Sequence, residues 1–178
     1  MKDAADPATA GPSSDPLPAW RYKLAVLQHH GCVYRAARAL LGDAAEAEDV
    51  TQEAFIRYWQ QGDAVREPRV WLLKVARNAC LDRLRKSGRF VSEEDAGVPE
   101  RPDDRDPAWH YRQNELAAQL QRAIDSLPEP QRSLVVLFDV QGLSGDECAR
   151  IVGINLNQVK VYLHRARRKL RIRLEQSI

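Results

Sequence analysis

An all-α fold of two small helical units follows from three features of the chain. Apolar residues recur at helical steps of three and four along most of its length. No stretch alternates apolar and polar residues as a half-buried strand does, and an acidic, proline-bearing segment separates two helical runs. A length of 178 residues allows two such units, each with a modest core. The predicted organisation is a tail over residues 1–18, a first helical unit over 19–88, a linker over 89–108 and a second helical unit over 109–178.

The tail holds four prolines among Ala, Ser, Thr and Asp with no apolar period, the composition of a disordered segment. The spacing then predicts one helix around Trp20–His30, another around Val33–Leu41, a break at Gly42-Asp43, and a third helix from about Ala44 to Gln60 ended by Gly62. Pro68 occupies a first helical turn, where a missing N–H costs nothing, and opens a long helix from about Arg69 to Lys86. The apolar arc of that helix is wide, running through Trp71, Leu72, Leu73, Val75, Ala76, Ala79, Cys80 and Leu84, as in a helix wrapped by several others.

Gly88 to Pro107 carries Pro99, Pro102 and Pro107 among acids and reads as a flexible, self-repelling linker. Helical spacing resumes over Trp109–Ser126, with Leu116, Leu120 and Ile124 on one face, stops at Leu127-Pro128 and restarts at Glu129-Pro130 through Val140. Leu134–Phe138 has strand composition, but it lacks alternation and lies between helix signals. Ser144 and Glu147 form a capping-box pair for a short helix ending near Val152, and Gly153 supplies a tight turn. Asn155 or Asn157 caps the last helix, where Val159, Leu163, Ala166 and Leu170 share the core face. The result is a helix-turn-helix, and the second domain has four helices.

Charge is segregated along the chain even though the net value is only +2. Asp43–Glu53 holds five acids and no base, Arg69–Arg89 seven bases and one acid, and Ser92–Asp106 seven acids and two bases. From Lys160 onward seven Lys or Arg face one acid, Glu175. On the last helix Asn157, Lys160, Val161, His164, Arg165 and Arg168 lie opposite the core face, the disposition of a helix that enters a DNA groove.

Cys32, Cys80 and Cys148 are far apart and form no CxxC pair, as expected of a reduced, cytoplasmic chain. His29, His30 and Cys32 crowd into four residues without a distant fourth ligand, so no metal and no other cofactor is expected. No apolar run is long enough for a membrane span, and no secretory signal opens the chain. Phosphate-binding GxxxxGK, HExxH and GxSxG motifs are missing, as is a carboxylate pair with a common site, so no catalytic residue is expected.

Three blocks in fixed order now carry a resemblance. GDAAEAEDVTQEAFIRYW resembles region 2.2, PRVWLLKVARNACLDRLRKSGR regions 2.3 and 2.4, and LPEPQRSLVVLFDVQGLSGDECARIVGINLNQVKVYLHRARRKL region 4 of the sigma-70 family. Trp20–Leu174 as a whole resembles an extracytoplasmic-function (group IV) sigma factor, the small class without a middle domain. The resemblance implies a dissociable promoter-specificity subunit of bacterial RNA polymerase. It assigns Asp49, Gln52, Glu53 and Ile56 to the β′ clamp helices of core polymerase, and the β flap is a second implied contact.

For the −10 element it implies Lys74, Arg77, Asn78, Arg83, Arg85 and Lys86, with Asn78 at a flipped base and the loop from Gly62 to Glu67 around that base. Trp71 or Phe90 is the available stacking surface, and the place of Trp71 in the apolar arc favours core packing for it. For the −35 element the implied residues are Asn157, Gln158, Lys160, Val161, His164, Arg165, Arg167 and Arg168, with Arg165 the best reader of guanine. Val161 and Tyr162 stand where the family commonly has a small hydroxyl residue followed by arginine, a departure that bears on which promoter is read. Promoter DNA and an anti-sigma factor are the further partners implied. The rival reading is a one-component helix-turn-helix regulator with a sensor or dimerisation bundle, which requires a ligand pocket in the first unit.

Overall fold

The structure, a computed structural model, describes residues 17–92 and 111–175. The predicted tail up to residue 16 and most of the predicted linker lie outside the described residues. Among those described, every regular element is helical: α1 (Ala19–Leu41), α2 (Ala44–Gln61), α3 (Pro68–Lys86), α4 (Tyr111–Asp125), α5 (Gln131–Leu134, continued as a π-helical stretch over Val135–Val140), α6 (Gly145–Val152) and α7 (Leu156–Glu175).

The two helices expected before Gly42 are one. Gly31 sits exposed inside α1 without a break, because Ala25 before it and Val33, Ala36 and Ala37 after it are buried in the core and tertiary packing holds the helix through a weak stretch. Gly42 ends the helix at φ 71° with its N–H on the Arg38 carbonyl. Asp43 starts α2 by accepting from the Glu46 N–H at 2.9 Å. Ala36 and Ala37 of α1 and Ala47 and Ala54 of α2 are all buried, small side chains of the kind that let packed helices approach closely. Pro68 does open α3, and the helix buries Trp71, Leu72, Leu73, Val75, Ala76, Cys80, Leu81 and Leu84. Burial pushes the Cys80 thiol up to about 12 and the Cys148 thiol up to about 11, so both are neutral packing groups.

The second unit differs from expectation at its start. Ile124 is buried, but Leu116 and Leu120, predicted on the same core face, are 66% and 43% exposed. Among the described side chains of α4, those in the core are Ala123 and Ile124 near its end, with Leu127 just beyond the helix. Leu134–Phe138 is helical, as its flanks indicate.

Both units contribute to one continuous apolar cluster, which runs from Leu40, Leu72 and Leu84 to Leu134, Leu137 and Ile151. The C-terminal carbonyls of α1, which have no partner within the helix, are met from the second unit: Gln121 donates to Ala39 O at 2.9 Å and Arg132 donates to Leu40 O. Arg132 is almost wholly buried and ion-paired with Asp125 at 2.5 Å. The second unit is therefore seated on the end of α1 and one edge of α3.

Candidate nucleic-acid interface

The helix-turn-helix forms as its caps dictate. Ser144 Oγ accepts from the Glu147 N–H, and Glu147 returns bonds from the Ser144 N–H and hydroxyl at 2.8 Å each. Those bonds hold the Glu147 carboxyl below its usual pKa. Gly153 turns the chain at φ 79°, and its N–H returns to Ala149 O. Of the two asparagines proposed as caps, Asn155 is the one: its Oδ1 accepts from the Gln158 N–H at 2.9 Å, while Gln158 Oε1 accepts from the Asn155 N–H at 3.0 Å. Val159, Leu163 and Ala166 are buried beneath α7, and Leu170 is half-buried.

Asn157, Val161, His164, Arg165 and Arg168 form the outward arc of α7, all exposed. Arg165 lies with its guanidinium 5.9 Å from the Tyr162 ring, and Tyr162 packs against the core. Val161 is 48% exposed, available for apolar contact. Lys160 and His164 also border a hollow floored by Phe138, Leu156 and Leu163. Arg167 is turned away from the outward arc: it is ion-paired with Asp139 at 2.5 Å and lies over the Phe138 ring at 5.5 Å. Gln158 is engaged in the cap. The structure thus gathers Asn157, Lys160, Val161, His164, Arg165 and Arg168, and gives Arg167 and Gln158 structural partners.

On α3, Lys74, Asn78 and Arg85 share a narrow strip between buried neighbours, with Asn78 and Arg85 exposed and Lys74 half-buried. Arg85 stacks its guanidinium 4.8 Å from Phe90 and pairs with Asp82 at 3.0 Å. Lys86 is exposed at the end of the helix. Trp71 is 6% exposed and packs against Tyr58, which leaves Phe90 as the aromatic beside the strip. Two of the expected cations lie elsewhere. Arg83 faces α2, donating to Glu46 O at 3.2 Å and lying 3.7 Å from Asp49 and 3.8 Å from Glu53. Arg77 points into the seam with the second unit, where its side chain is 10% exposed against Glu129 and Ser133.

On α2, Asp49, Gln52 and Ile56 are exposed and Glu53 partly so, opposite buried Ala47, Val50, Ala54 and Tyr58. Ile56 is 55% exposed, an apolar residue amid acids and an amide. The buried Arg132 and its Asp125 partner belong to no motif in the chain. The available signal was an arginine at the head of a run of apolar helix, which must be paired if the helix is buried.

The family model for Sigma-70 region 2 matches residues 25–90, and that for Sigma-70 region 4 matches residues 117–170. The chain is 36% identical over 164 residues to the ECF RNA polymerase sigma factor SigL of Mycobacterium tuberculosis, covering 84% of this chain and 86% of that protein. The chain belongs to the sigma-70 family, in its extracytoplasmic-function group. This ECF sigma factor is also 38% identical over 176 residues to ECF RNA polymerase sigma factor SigE of Mycolicibacterium smegmatis, covering 95% of the chain but spanning 64% of that relative's length. In fold, it matches the sigma factor RpoE of Bartonella quintana, solved in complex with the anti-sigma factor NepR, with a TM-score of 0.66 at 23% identity, covering 87% of this chain and 97% of that one. In the terms of the family, the α3 strip lies in region 2 and the α7 arc in region 4 of this sigma factor. Among the described residues no helix is long and apolar enough to cross a membrane.

Proposed function

We propose that this ECF sigma factor directs promoter-specific initiation by binding core RNA polymerase and contacting the −10 and −35 elements with separate units. The observation that carries the reading is the pairing of two basic helical faces, the α3 strip and the α7 arc, with a family region matching each in order. In this reading residues 19–88 take the polymerase and the −10 element, 109–178 take the −35 element, and 89–108 tether them.

Asp49, Gln52, Glu53 and Ile56 offer the β′ clamp helices an acidic and amide surface around an exposed aliphatic side chain. The −10 strand, once unpaired, presents hydrogen-bonding edges to Asn78 while Lys74, Arg85 and Lys86 hold phosphates and Phe90 offers a stacking face. In the duplex −35 element Arg165 reads guanine from the major groove, Asn157 contacts a base edge near the helix start, Val161 meets a thymine methyl, and Lys160, His164 and Arg168 hold phosphates. Arg77, Arg83 and Arg167 join these sets only after giving up the partners described above, and Gln158 only by leaving its cap.

The chain supplies recognition and the polymerase supplies the chemistry, in the cytoplasm where the promoter is. An anti-sigma factor is a fitting regulator, since the similar RpoE was solved with one. The test is a footprint of core polymerase plus this chain on a promoter library. Protection near −35 together with permanganate-reactive thymines near −10 is expected, and a footprint equal to that of core polymerase alone would refute the reading.

A further inference from the structure

The arginines at and just beyond the end of α3 face in two directions. Arg85 turns to Phe90 and Asp82 on the exposed strip, whereas Arg83 and Arg89 turn onto the first half of α2. Arg89 Nη2 donates to both oxygens of the Glu46 carboxylate, at 2.9 and 2.7 Å, and its Nη1 donates to Leu41 O at 3.2 Å. Arg83 Nη1 donates to the Glu46 carbonyl at 3.2 Å and lies 3.7 Å from Asp49 Oδ2, while its Nη2 lies 3.8 Å from Glu53 Oε2. One guanidinium therefore spans both carboxylates of the face offered to the β′ clamp helices.

We infer that Arg83 is a positioning residue of the polymerase-docking face and takes no part in holding −10 DNA: it sets the directions of Asp49 and Glu53 before core polymerase arrives. The inference rests on the docking reading above. Asp49 and Glu53 stand one turn apart on α2, a spacing at which like charges repel. A guanidinium is flat and carries its N–H donors in a fixed fork, so a single side chain faces both where an ammonium meets one. The Arg83 side chain is 30% exposed, against 68% for Asp49 and 38% for Glu53, so the cation is the most buried of the three. Each carboxylate keeps one oxygen that Arg83 does not face, and that of Glu53 receives Arg57 at 2.6 Å.

The consequence belongs to docking rather than to folding. Ion pairs this long and this exposed add little to stability. A surface side chain that must be ordered when a partner binds costs affinity, and one already directed by a cation of its own chain costs less. The two uses of Arg83 also exclude each other. A phosphate that drew its guanidinium to the strip would leave Asp49 and Glu53 to repel, and would take from Glu46 O the donor that ties α3 to α2. The basic end of α3 is thus divided, with Arg85 and Lys86 on the DNA side and Arg83 on the polymerase side.

The experiment uses the full chain, core polymerase and a promoter that the wild type selects from a library. Fluorescence anisotropy of the labelled chain titrated with core polymerase reads docking, and permanganate reactivity at saturating core polymerase reads strand opening. Arg83→Gln should weaken core binding about tenfold, since two side chains must then be ordered on docking. Its permanganate pattern at saturation should match that of the wild type. In a chain carrying Asp49→Asn the cost of Arg83→Gln should shrink, because one of the carboxylates it acts through has lost its charge. The same cycle with Arg83→Lys, which keeps the charge and the long stem but not the fork, carries the test where Gln lowers the circular dichroism. Wild-type or tighter core binding by a folded Arg83→Gln would overturn the inference, and so would an equal cost in both backgrounds, the result of a purely structural role. Permanganate reactivity that stays low at saturation would overturn it as well and return Arg83 to the −10 set. The docking reading fails by a different result, Asp49→Lys with Glu53→Lys retaining core binding, and the inference falls with it.

Discussion

Asn78 and Arg165 carry opposite duties in this account, one at a melted strand and one at a duplex, so their removal should fail in different ways. Asn78→Ala takes away an amide that meets an unpaired base, and open-complex formation should fall while binding to the closed duplex promoter holds. Permanganate reactivity against filter binding separates the two. Arg165→Ala should cost about 1–3 kcal/mol at a single −35 base pair, and a uniform loss on all sequences would remove it as a reader. Glu147 gives a pH test. Its carboxyl is held below the usual 4.5 by two bonds from Ser144, so its contribution is full above 4.5 and is lost as pH falls through the lowered value. The melting-temperature advantage of wild type over Glu147→Gln should therefore shrink on acidification below about 4.5; a constant advantage would contradict the cap. At this scale the sequence was most informative where chemistry is local. The Ser144–Glu147 box and the role of Gly153 depend only on near neighbours, whereas the burial of Arg77 depends on Glu129, 52 residues away, and no local pattern discloses it.

The proposed polymerase contact turns on the α2 helix. Its buried alanines and its exposed Asp49, Gln52 and Ile56 divide the cylinder cleanly, so charge can be reversed on one side without touching the core. Asp49→Lys with Glu53→Lys should abolish co-elution with core polymerase while circular dichroism stays the same, and retained co-elution would refute the docking face. The turn between α6 and α7 is equally testable. Gly153→Ala forces a side chain into φ 79°, which should destabilise the fold by about 1 kcal/mol in a urea titration; no change would show that the turn relaxes. Element bounds were legible where punctuation is strong, at Gly42, Pro68 and Gly153. Gly31 misled because the helix through it is held by burial of Ala25, Val33, Ala36 and Ala37 on either side, which local propensity does not disclose. Leu116 and Leu120 misled because periodicity marks an apolar face without stating whether anything covers it.

For the whole molecule, the segregated charge blocks matter more than their sum. The division into two helical units is readable from the acidic segment between them, but their seating on one another is not, since it depends on α1 carbonyls meeting Gln121 and Arg132 across more than eighty residues. That seating sets the unit that carries the α7 arc against Arg69 and Arg77 on one edge of α3. The most direct measurement is in vitro transcription with purified core polymerase, this chain and a promoter library. Adding the chain should select a set of promoters sharing −10 and −35 sequences, which core polymerase alone does not transcribe. Transcription with unchanged promoter choice would contradict the sigma-factor role.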